Sequence, residues 1–103
     1  MNNVKEILIT TITKIEKVTD LFYKQKNTEG YAELNSTLLN ITTAIDQLFE
    51  YKLENNSITI DENKLISNLT EAMHAMEEKD TILLADILQY EIMEQFKNIA
   101  KTL

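Results

Sequence analysis

No proline interrupts this sequence, and its one glycine is Gly30 in a chain of 103 residues. Proline removes a backbone donor and clashes with the preceding helical turn, while glycine raises the entropy cost of ordering. A chain with almost neither has little to break a helix and few residues suited to tight hairpin turns. The expectation is therefore an all-α protein. Its length supports one domain, taken as residues 1–103. Such a domain buries roughly 65% of its unfolded surface and needs no disulfide or metal to fold. There is no cysteine, which excludes disulfides, iron–sulfur clusters, thiolate zinc sites and cysteine nucleophiles.

Apolar spacing divides the chain into four helices, near residues 3–26, 29–53, 61–78 and 81–102. In the first, Val4, Leu8, Ile12, Ile15, Val18 and Phe22 recur every three or four residues, and Asn3 with Glu6 stands in capping-box position. The stretch from Lys24 to Gly30 has no core residue, so a break is predicted there, with the glycine as its punctuation; one long helix running through is the alternative. In the second helix Tyr31, Leu34, Leu38, Ile41, Ile45 and Leu48 form an unbroken seam that stops where Lys52 takes the next position. Asp61 is placed to cap the third helix, with Ile60 and Leu65 as a hydrophobic staple. That helix is expected to bury Leu65, Ile66, Leu69, Ala72, Met73 and Met76. A short polar turn follows, in which Asp80 caps the fourth helix. The fourth carries Leu84, Ala85, Leu88, Ile92, Phe96, Ile99 and Leu103 on one stripe. Short connections make successive helices antiparallel, so the predicted architecture is an antiparallel four-helix bundle.

Charge narrows the function. Seventeen acidic residues oppose ten basic ones, all lysine, for a net charge of −7. Nucleic-acid binders need clustered cations for phosphates and the arginine fork for guanine, so no nucleic-acid partner is expected. An anionic membrane surface repels such a chain, and the longest apolar run, Ile82 to Ala85, is far short of the ~20 residues that span a bilayer. The start leads into an amphipathic pattern instead of a secretory core. Abundant Ile, Lys and Asn without Arg suggests an AT-rich genome, so a bacterial, cytoplasmic protein is expected. The four sequons at Asn35, Asn40, Asn55 and Asn68 are read as a by-product of composition.

Glu71 and His74 match the Glu-x-x-His element of dimetal bundles, but those sites need two such elements and this chain has one histidine. Both residues also point away from the predicted core face of their helix. No nucleophile–base set, phosphate loop or nucleophile elbow is present. No catalytic residue, metal, cofactor or small-molecule ligand is therefore expected. A carboxylate–histidine metal protein or enzyme using Glu71, His74 and Glu91, the last at the edge of the core stripe, is the remote alternative.

The fourth helix offers more. Beside its core stripe, Leu83, Ile87 and Tyr90 form a second apolar line, and Ile82 and Met93 lie on the opposite flank. A helix apolar nearly all round needs burial on more than one side. Either loops or the N-terminal segment cover the extra side chains, or an exposed strip serves a partner. The expectation is a non-enzymatic protein-binding module that uses Leu83, Ile87 and Tyr90. A structural homodimer, with the same helix at its interface, is the first alternative.

The segment from Ala75 to Glu91, with its Glu78-Lys79-Asp80 turn and Leu84-Ala85-Asp86 helix leading to Tyr90-Glu91, resembles the C-terminal hairpin of a family of small uncharacterised proteins from clostridia and bacilli. In size, acidity and helix content the chain is also similar to the helical flagellar export chaperones. That likeness implies a protein that holds an exported subunit until secretion.

The seam of the second helix is open to direct test. Ile41→Ala is expected to destabilise the fold by about 2–5 kcal/mol. Leu39→Ala, on the opposite face, should cost under about 1 kcal/mol. Urea unfolding of the two variants measures the difference.

Overall fold

The computed structural model describes residues 3–103. Helix α1 is Asn3–Tyr23, α2 is Asn27–Glu54 and α3 is Glu62–Glu77. The last helix, α4, begins as Thr81–Asp86, passes through a π-helical stretch at Ile87–Met93 and ends as Glu94–Ala100. The result is the all-α bundle that the spacing predicts. Helix α1 packs between α2 and α4, and α4 packs between α1 and α3. The outer pair, α2 and α3, share no comparable contact. Ile58 and Ile60 are buried in the loop between them, where Lys52 donates to the Ile60 carbonyl at 3.3 Å and pairs with Glu62 at 3.4 Å.

The helix ends explain the chain reversals. Asp61 accepts from the Lys64 amide and Asp80 from the Leu83 amide, each at 3.0 Å, as N-caps do. Ile60 and Leu65 are both buried, as the staple requires. Helices α1 and α3 each close with a Schellman pattern. Gln25 donates to Phe22 and Lys26 to Leu21 in one; Lys79 donates to Met76 and Asp80 to Ala75 in the other. Gln25 and Lys79 take the left-handed position, at φ 60 and 58, that glycine usually fills. Asp80 therefore serves two helices: its N–H ends α3 and its carboxylate starts α4. Asn3 is itself helical, and the residues ahead of it lie outside those described.

Gly30 has a different role from the expected one. It lies inside α2, with a negative φ, and the break falls earlier, at residues 24–26. It is buried beneath Phe22. A Cβ there would stand 2.6 Å from the ring. The ring in turn meets Tyr31 edge-on, with centroids 5.3 Å apart. Glycine is thus required by close approach, not by a turn. The same interface runs on antiparallel through Lys17–Glu33 at 3.3 Å and Lys14–Ser36 at 2.7 Å. Thr11, Thr19 and Thr37 are buried along α1 and α2, and each hydroxyl donates to the carbonyl four residues back.

Helix α3 is rotated from its expected setting. Leu65 and Ala72 are buried and Leu69 and Met76 partly so, but Ile66 and Met73 are half exposed. Asn68 and Ala75 take their place inside. Gln95 of α4 donates to Asn68 Oδ1 at 2.7 Å, which satisfies the buried amide oxygen and fixes the face.

Alanine at an interior helical position is ordinarily favoured over glycine by about 1 kcal/mol. Overpacking against a fully buried ring costs about 1–3 kcal/mol. Gly30→Ala is accordingly expected to lose up to about 2 kcal/mol in urea melts, and less in a Phe22→Leu background. A gain in stability would show that the ring moves aside freely.

Candidate functional site on the C-terminal helix

Leu83 stands in the first turn after the Asp80 cap and is 46% exposed; Tyr90, seven residues on, is 61% exposed. Ile87 does not join them. It is only 6% exposed and belongs to the core. An α-helical wheel puts it on the outer line, but the chain here is π-helical, with bonds from residue i to i+5. The wider turn brings Ile87 into line with Ile92 and Leu88 with Met93, and all four are buried. Helices α1 and α3 receive them from two sides. Of the opposite flank, Met93 is buried and Ile82 is half exposed. The expected continuous strip is therefore two exposed side chains with a recess between them. That recess, about 280 Å³, is lined by Glu71 of α3 with Leu83, Asp86, Ile87, Tyr90 and Glu91 of α4.

Three of those six residues are carboxylates. Glu71 accepts from Ser67 at 3.5 Å, and Asp86 accepts from the Tyr23 hydroxyl at the end of α1. Gln95 donates to the Glu91 backbone carbonyl at 3.1 Å. Burial, then the hydrogen bond to Asp86 and its charge, push the Tyr23 phenol well above its ordinary value; Tyr90 adds to the shift. Tyr23 therefore stays a protonated donor throughout the neutral range. The ion pairs among the described residues, Lys17–Glu33, Lys24–Asp20 and Lys52–Glu62, use none of these three carboxylates.

Other surfaces offer less chemistry. Glu71 and His74 are both exposed, and His74 does not line the recess. No group of three or more His, Cys, Asp or Glu side chains is arranged to hold a metal ion among the described residues. Glu91 is half buried, at the edge of the core stripe. A recess between α1 and α2 holds Glu6, Ile7 and Leu39 among polar neighbours. One between α1 and α4 mixes Glu16 and Asp20 with Lys97. Spacing alone reaches Asp86, three residues after Leu83. Glu71 and Tyr23 join the site through tertiary packing, for which the sequence carries no local signal.

A family model described as a domain of unknown function (DUF8042) matches residues 1–102. The chain belongs to the DUF8042 family. Neither the curated proteins nor the solved structures contain a significant match. Membership in DUF8042 thus gives a small helical family without assigning it a chemistry. No helix among the described residues is long and apolar enough to cross a membrane.

The placement of Ile87 has a clear consequence. Ile87→Lys takes a buried apolar side chain out of the core and is expected to cost about 2–5 kcal/mol. Leu83→Lys and Tyr90→Lys should each change stability by less than about 1 kcal/mol. Circular dichroism with urea melts separates the two classes, and a tolerated Ile87→Lys would return that residue to the surface.

Proposed function

We propose that this chain is a non-enzymatic protein-binding module, a small bacterial, cytosolic adaptor or chaperone-like protein. Its contact surface is α4 around Leu83 and Tyr90. The observation that carries the reading is the recess itself. Two large apolar side chains remain exposed on either side of a buried isoleucine, on a helix whose remaining apolar surface is mostly covered. Partly exposed aromatic side chains beside an apolar floor are the usual anchors of protein contacts. The likeness to flagellar export chaperones and to a clostridial and bacillar family belongs with this proposal, since both concern small acidic helical proteins.

The homodimer is the second reading. Symmetric pairing through this face would set Glu71, Asp86 and Glu91 of one copy against the same residues of the other. Like charges brought together at an interface oppose association, so the hetero-protein contact is preferred.

A photo-reactive residue placed at Leu83 or Tyr90 in the native cell tests the reading. A discrete adduct with a different protein is expected, absent when the same residue replaces exposed His74. An adduct of twice the chain's own mass would establish the homodimer instead. No adduct at either position would overturn the proposed contact surface.

A further inference from the structure

We infer that the recess between Leu83 and Tyr90 takes an apolar side chain from a basic amphipathic helix of the partner protein, with flanking lysines or arginines meeting Glu71 and Glu91. This rests on the protein-binding reading and names the partner's chemistry.

Shape is the first argument. On an unbroken α-helix, residues 83, 87 and 90 would form one continuous ridge. The π-helical stretch draws Ile87 inward and opens the ridge into a slot whose floor is apolar and whose walls are Leu83 and Tyr90. Seven helical residues span about 10 Å along the axis, close to the two turns over which an amphipathic helix presents anchors at i, i+3, i+4 and i+7. A cavity of ~150 Å³ holds a benzene-sized group. The 280 Å³ here leaves room for a leucine or phenylalanine at an open mouth.

Charge is the second argument, and it selects among helices. The slot has three carboxylates and no cation in its lining. The recess between α1 and α4 includes Lys97, the one beside the α2–α3 loop includes Lys64, and that between α1 and α2 has a single carboxylate, Glu6. Its composition therefore differs from that of these three recesses on the same acidic chain. Tyr23 already donates to Asp86, so Glu71 and Glu91 are the carboxylates positioned to meet incoming cations. A second copy of this chain supplies no such helix. Its lysine-bearing α1 has already committed its apolar face to α2 and α4.

Two synthetic helices with the same apolar face and central leucine, one flanked by lysine and the other by glutamate, provide the test. Fluorescence anisotropy on the full chain should show the lysine peptide binding about tenfold or more tightly than the glutamate peptide. Added salt should weaken that binding. Tyr90→Ala should weaken it as well, and the double change Glu71→Lys with Glu91→Lys should reverse the preference. The control Glu50→Lys, on exposed α2 surface away from the slot, should leave it unchanged. Equal binding of the two peptides, no binding of either, or a preference untouched by the charge reversal would overturn the inference. Photo-adducts at Leu83 and Tyr90 would survive that failure, and their absence would sink the protein-binding reading itself. Dimers that dissociate on Leu83→Lys with Tyr90→Lys would show that the occupant is a second copy and overturn the inference as well.

Discussion

Helix α4 must present apolar side chains to α1 and to α3 at once, and a straight amphipathic helix has only one stripe to offer. The stripe of Leu84, Leu88, Ile92 and Phe96 would drift around an α-helix, because four residues exceed one turn of 3.6. The π-helical stretch removes much of that drift and widens the buried face. Ile87 and Met93 thereby enter the core beside Leu88 and Ile92. A fully buried side chain of this size contributes about 1.5–3 kcal/mol relative to exposure. Two such residues offset the poorer geometry of the wide turn.

The flanking helices meet this demand with small residues. On the α3 side, Ala72 and Ala75 are buried, and Ala85 of α4 has no exposed surface. Short side chains let the backbones approach closely, and the Asn68–Gln95 hydrogen bond fixes the rotation. Between α1 and α2, Gly30 lets Phe22 lie against the α2 backbone, while Thr19 and Thr37 fill space with hydroxyls bonded within their own helices. Each outer helix is thus set by what its inner neighbour allows.

Features governed by short-range chemistry could be read from the sequence. Asp61 and Asp80 cap because an aspartate before an apolar-periodic run can reach an amide three residues on. The seam in α2 survives because a helix with one principal neighbour needs one stripe. Features that depend on a second helix carry no local signal. Gly30 reads as a turn because nothing local reveals that Phe22 covers it. Ile66 and Met73 read as buried because a wheel centred on all apolar residues ignores that α3 packs mainly on α4, whose near face favours Ala75 and Asn68. A wheel sets Ile87 outside because 100° per residue describes an α-helix, and the burial that makes the wider turn worthwhile comes from tertiary packing. For the same reason the spacing gives the exposure of Leu83 and Tyr90 and not the burial of Ile87.

The fold and the recess share their determinants. Phe22, held by the absence of a Cβ at Gly30, fixes the end of α1. That places the partly exposed Tyr23 against α4, where its hydroxyl donates to Asp86. The hydroxyl can then orient Asp86 without cancelling its charge. Ile87 links the recess to the core in the other direction, since the residue that forms the floor also packs inside the bundle. Neither the floor nor the Asp86 wall can move independently of the packing beneath it. The parts of the site nearest solvent are the side chain of Glu71 and the exposed ends of Leu83 and Tyr90. A partner helix would therefore meet a preformed slot and order few groups on binding, which lowers the entropy cost of association.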